Sequence, residues 1–212
     1  MKKKVLGLIS LLLLFNIVTV YAGTAIYGYY LGYEKVKVVV DTKEVDSTVP
    51  AIIIEDTTMV PLRAIAERLD VIVNWDSQLK TATLIKPNVN MLFTANPVYD
   101  KANQSYVVYS PFGKINKNQR YHFNFHVFCE VDNLPYENLE IKVVLKDPDN
   151  EIVQDGYVQT FDATLENSLQ YINFFENIDF LKTGNYKVEL LLKSDSTKNE
   201  FKKIGEKQIL IK

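Results

Sequence analysis

Between residues 57 and 86 the spacing of apolar positions changes period. Leu62, Ile65, Ala66 and Leu69 fall at i, i+3, i+4 and i+7, while Arg63, Glu67 and Arg68 point elsewhere, which predicts a short, one-sided helix. Pro61 stands at its expected first position, where the missing N–H costs nothing. After Leu69 the period falls to two: Val71, Val73 and Trp75 share one face, Ile72 and Asn74 the other. Asp76, Ser77 and Gln78 then turn the chain into a strand over 81–86. Upstream, Val36, Val38 and Val40 alternate with Lys37 and Val39, and Asp41-Thr42-Lys43 turns them back through Glu44 and Val45. A second hairpin joins residues 51–54 to Met59 and Val60. These strands can cover one helix, so Trp75 and Leu62 are expected to meet in its core. Truncating Leu62 or Leu69 to Ala is then expected to cost ~2–5 kcal/mol.

Residues 87–103 carry Pro87, Asn88, Asn90, Asn96, Pro97 and Asn103 without a sustained period, and are expected to be a linker. Beyond it, over 104–212, strand follows strand. Phe123, Phe125, Val127 and Cys129 alternate with His122, Asn124, His126 and Phe128; Leu139, Ile141, Val143 and Leu145 alternate with Glu140, Lys142 and Lys146. Tyr186, Val188, Leu190 and Leu192 repeat the pattern near the end. Six or seven such strands, spaced by turns, predict a two-sheet sandwich. Gly184-Asn185-Tyr186 resembles the tyrosine corner of immunoglobulin-like domains. Residues 169–181 alternate passably, yet their Leu, Phe and Glu content also suits a short helix.

The run MVPLRAIAERL, followed by VIVNWD and a TATL strand, resembles the copper amine oxidase N-terminal-like domain, a stalk module common in secreted proteins of Gram-positive-type bacteria. The resemblance reaches back through VKVVVDTKEV and covers roughly residues 23–86. It implies an α+β domain of antiparallel strands wrapped around one helix, followed here by an all-β immunoglobulin-like sandwich. The family usually has Gly after the last Leu of the helix. This chain has Asp70, which tolerates the left-handed conformation better than most residues. In the family the module is noncatalytic. The quinone cofactor of the amine oxidases arises from Tyr in an Asn-Tyr-Asp/Glu context that this sequence lacks, the nearest triplets being Asn185-Tyr186-Lys187 and Pro135-Tyr136-Glu137.

Lys2, Lys3 and Lys4 followed by an almost unbroken apolar run over 5–15, with Val20-Tyr21-Ala22 beyond, read as a signal peptide over 1–22. The alternative is an uncleaved membrane tether: 18 residues over 5–22 give ~27 Å of helix against ~30 Å of hydrocarbon. Either way the body is expected outside the cytoplasm, secreted or associated with the envelope. The chain has 24 basic and 26 acidic residues; losing the three lysines leaves 21 against 26, a charge of −5, with no drive toward nucleic acid.

The chemistry in the sequence is sparse. His122 and His126 would sit ~13 Å apart along a strand at ~3.3 Å per residue, too far to share an ion, so no metal site is expected. The single cysteine, Cys129, lies in an alternating run and reads as a small buried apolar residue. Asp147, Asp149 and Asn150 offer too few oxygens for calcium by themselves. No phosphate-cradling loop, cofactor site or catalytic set is legible. Tyr29, Tyr30 and Tyr33, in the Gly- and Tyr-rich stretch 23–34, are candidates for an aromatic binding platform. The function that follows is a noncatalytic exported envelope protein, structural or binding, whose partner is a cell-wall polymer or another envelope protein. The alternative is an envelope hydrolase acting on wall polymers with carboxylates from separate strands.

Overall fold

The computed structural model describes residues 26–103 and 105–212, so the expected signal peptide or tether at 1–22 lies outside the described residues. What is described is mostly β-strand with a single short α-helix. The chain divides into two compact units, Met1–Ile65 and Ala66–Lys212.

In the first unit the strands are two to four residues long: β1 (Tyr29–Tyr30), β2 (Tyr33–Val36), β3 (Val39–Val40), β4 (Lys43–Glu44), β5 (Ala51–Ile54) and β6 (Thr57–Met59). They form a sheet in the order β1-β2-β5-β6 and a separate β3-β4 ribbon. All three two-residue hairpin turns among the first unit's described residues take positive φ, at Leu31 (51°) and Gly32 (87°), at Asp41 (47°) and Thr42 (68°), and at Glu55 (47°) and Asp56 (59°). A two-residue turn matched to strand twist asks for this, and it is an unfavourable demand on a β-branched Thr.

The helix α1 (Leu62–Arg68) spans the division between the units. It begins where Pro61 predicts, with the Ile65 N–H donating to the Pro61 carbonyl at 3.2 Å. It ends as the sequence suggests too, with Asp70 left-handed at φ 56° and the Val71 N–H reaching the Ala66 carbonyl at 2.9 Å. It does not plug a sheet. Leu62 and Leu69 are each 42% exposed and Trp75 is 51% exposed; Ala66 is the buried residue of the helix. Neither Leu62 nor Trp75 is the core residue that the sequence leads one to expect. Strands this short present too little apolar face to enclose a helix, and Ala51 is the one buried apolar side chain among the first unit's described residues.

The second unit continues with the hairpin β7 (Ile72–Asp76) and β8 (Thr81–Ile85). Its two faces alternate as predicted, but the inward one carries Ile72, not Trp75. Ile72 is buried in the second unit's core and Ile85 packs against it. Next come β9 (Asn88–Asp100), β10 (Ser105–Phe112), β11 (Lys114–Ile115), β12 (Phe123–Asp132) and β13 (Asn138–Lys146). The chain closes with β14 (Ile152–Asp155), β15 (Gln159–Asp162), β16 (Leu169–Ile178), β17 (Gly184–Lys193) and β18 (Lys202–Ile211).

Two sheets, β10-β9-β12-β16 and β11-β18-β17-β13-β14 with β15 also on β13, turn their apolar faces into one core. Phe93, Phe125, Val127, Tyr171 and Phe175 come from the first; Ile141, Val143, Leu145, Val188 and Leu190 from the second. The alternating residues of β12, β13 and β17 are the buried ones, as their period requires. Residues 169–178 are strand.

The stretch expected to be a linker, 87–103, is instead β9 and its turn. Val89, Met91 and Phe93 supply an inward face, and Asn88 and Asn90 lie on the other side of the same pleat. β12 pairs with β9 only as far as Thr94; beyond it β9 has β10 alone, so Pro97 sits where one edge is open and its missing N–H is tolerated. Asparagine and proline content suggested a boundary, and long-range pairing overrode it. Gly156 is fixed by close approach: a Cβ there would come within 2.7 Å of the Asn173 Oδ1 that accepts the Tyr157 N–H.

Candidate binding site

The residues singled out in the sequence stay apart. Tyr30 and Tyr33 are cross-strand partners and share a face, whereas Tyr29 pairs with Glu34 on the opposite one, so the three rings form no single platform. Of the two histidines only His126 lies in a strand. It is half-buried, its ring 4.6 Å from that of Phe174, and desolvation pushes its pKa down. His122 precedes β12 at φ 50° and is exposed, with its backbone N–H donated to Asp179 at 2.8 Å. No group of three or more His, Cys, Asp or Glu side chains able to hold a metal occurs among the described residues. Cys129 is fully buried, and burial pushes its thiol up to about 12.

The Asp147-Pro148-Asp149-Asn150 turn already holds a cation, supplied by the chain. Asp147 Oδ1 accepts the N–H groups of Asp149 (2.9 Å) and Glu151 (3.0 Å), while its Oδ2 accepts from Lys182, whose ammonium also meets Asp149 at 2.6 Å. The Lys182 hydrogen bond, ahead of the backbone donors, holds Asp147 below the ordinary carboxylate range, and the two carboxylates hold Lys182 above the ordinary ammonium range. Four residues beyond Lys182, the buried Tyr186 hydroxyl accepts the Lys182 N–H at 3.0 Å, and its ring lies edge-on to Phe180 at 4.9 Å.

A different set of groups converges where three connections of the second unit meet: β12 to β13, β15 to β16 and β17 to β18. Leu134 and Pro135 are buried, and the Leu134 N–H donates to the Asn167 carbonyl at 2.9 Å. The Glu137 N–H turns back to the Pro135 carbonyl at 2.9 Å, which puts Tyr136 at the apex of a three-residue turn. The Glu137 carbonyl accepts the Ala163 N–H at 3.2 Å, and both its carboxylate oxygens lie 3.3 Å from the Ser196 N–H. The β17–β18 connection is braced by Thr197, whose hydroxyl accepts the Ser194 N–H and donates to the Ser194 carbonyl, both at 2.9 Å.

Tyr136 is 66% exposed and stands between two clefts. One, of about 380 Å³, has Asn74, Asn133, Asn167 and Ser196 in its wall; the other, of about 480 Å³, has Asn138, Thr160, Thr164, Ser194, Asp195 and Asn199. The carboxylates here are engaged: Glu140 pairs with Lys193 at 2.8 Å, and Asp195 accepts from Asn199 at 3.1 Å. In the sequence Tyr136 stands out only within the triplet Pro135-Tyr136-Glu137. An aromatic following Leu-Pro between two alternating strands is the signal that could have marked it, but Asn167 and Ser194 carry no local signal at all.

Residues 39–121 match the family model described as the copper amine oxidase N-terminal domain. The match starts later than the resemblance read from the sequence and runs on through β9, β10 and β11. A solved structure titled "X-ray structure of Northeast Structural Genomics Consortium target SoR45" is similar over 59% of this chain and 87% of its own, at 11% identity and a TM-score of 0.31. No curated protein matches the chain. Residues 39–121 are therefore similar to the copper amine oxidase N-terminal domain, a noncatalytic module.

Proposed function

We propose that this is an exported, noncatalytic protein of the cell envelope that holds a cell-wall polymer or another envelope protein through its second unit. The observation that carries the proposal is the match of residues 39–121 to a noncatalytic module family. The basic and then apolar N-terminus, ending in Val20-Tyr21-Ala22, supports export. The second unit supports a presented binding surface, because rigid strands hold a cluster of loops at fixed positions. An immunoglobulin-like character for that unit is supported by the Tyr186 hydroxyl bonded back to the Lys182 amide at 3.0 Å, the arrangement of a tyrosine corner.

The test is fractionation of cells producing the full chain, with the mature N-terminus read by mass spectrometry, followed by co-sedimentation of the purified mature protein with isolated envelope. Export with sedimentation is expected. A chain that stays in the cytoplasm with residues 1–22 intact would overturn the proposal.

A further inference from the structure

We propose that the loop cluster around Tyr136 is a glycan-binding site, in which the ring stacks on a sugar face while the amides and hydroxyls of the two clefts bind the sugar's hydroxyl groups. This rests on the envelope reading above and assigns it a site and a ligand chemistry.

The first ground is the way Tyr136 is held. A side chain 66% exposed contributes little burial to the fold, yet the backbone beneath it is fixed on every side. Leu134 and Pro135 are buried before it, Asn167 takes the Leu134 N–H, and the Glu137 N–H closes the turn across it. A ring on a preordered base binds without first ordering a loop. Its π-face and flat apolar area match the C–H face of a pyranose, and its hydroxyl can remain in water.

The two clefts beside the ring are lined by polar side chains. The lining is rich in groups that both donate and accept. Asn138, Thr160 and Asn199 stand in the larger cleft and Asn74 and Asn167 in the smaller, a set suited to vicinal hydroxyls and to an N-acetyl group.

Charge selects among wall polymers. Glu137, Glu140 and Asp195 line the larger cleft against one cation, Lys193, which is already paired with Glu140. A phosphate polymer would be repelled there, and an uncharged N-acetylated hexosamine chain would not.

The experiment compares the full mature chain with Tyr136→Ala and Tyr136→Phe. The probes are peptidoglycan stripped of anionic polymers, the same wall unstripped, and a soluble N-acetylglucosamine hexamer, followed by sedimentation and calorimetry. Tyr136→Ala should weaken binding to stripped wall and hexamer by about tenfold or more, while Tyr136→Phe stays within about threefold. Thermal midpoints of the Tyr136 variants should equal that of the unmodified chain, since the ring is exposed. If the unmodified chain and Tyr136→Ala bind stripped wall equally, the site is wrong and the envelope reading stands. Binding that requires the anionic polymers overturns the ligand chemistry. If the unmodified chain binds no wall fraction and no hexamer, the site and the wall-polymer form of the envelope reading fall together.

Discussion

Leu69 and Leu190 are the same side chain in two environments, and truncating each to Ala separates a surface helix from a plug. Fully burying a leucine is worth ~1.5–3 kcal/mol. Leu69 is 42% exposed, so a little over half of that is at stake, and solvent replaces the missing atoms without leaving a void. Leu69→Ala should therefore cost ~1 kcal/mol. Leu190 is fully buried among Val143, Leu145 and Val188 in the core cluster, where a cavity adds to the transfer loss, so Leu190→Ala should cost ~3–5 kcal/mol. With a urea dependence of ~2 kcal/mol/M, the midpoint should fall by ~1.5–2.5 M for Leu190→Ala and by ~0.5 M for Leu69→Ala. Far-UV circular dichroism of the full chain in urea measures both. Equal midpoint losses would refute the placement of Leu69 at the surface, because they would mean that it is enclosed in solution.

Tyr186→Phe removes the hydroxyl that accepts the Lys182 N–H at 3.0 Å but keeps the buried ring. Lys182 is exposed and water can replace the acceptor, so a loss of ~1 kcal/mol is expected in urea melts, and no loss would remove the corner's structural role. Asp147 is held below its ordinary pKa, so the pair's stabilisation is present above its unfolded value of ~3.9 and is lost as pH falls through the folded one. Lys182 is held above its ordinary value, so its share is present below ~10.4 and is lost only as pH rises through the folded pKa. Lys182→Met should flatten both limbs of the thermal midpoint against pH; curves that run parallel to the unmodified protein's would contradict the pairing. With its thiol pushed up to about 12 and wholly enclosed, Cys129 should resist a thiol-specific reagent at pH 8 until denaturant is added, and rapid native labelling would show that the core opens.

Periodicity along the chain determined the strands. The alternations through Phe125, Val127 and Cys129, through Ile141, Val143 and Leu145, and through Val188, Leu190 and Leu192 each became an inward face, and Asp70 took the left-handed turn its position required. These features depend on neighbours in sequence, and the sequence carries them. Tertiary structure decided which face of β7 is inward, choosing Ile72 over Trp75, because alternation names two faces and only packing selects one. It also decided that residues 88–100 pair with β12, outweighing the turn-prone composition, and that Lys182 occupies the acidic turn 35 positions earlier in the chain. The cluster at Tyr136 was the least legible. Its polar groups come from three connections and from β7, β13 and β15, and only the pairing of distant strands brings Asn74, Tyr136, Asn167 and Ser194 to one place.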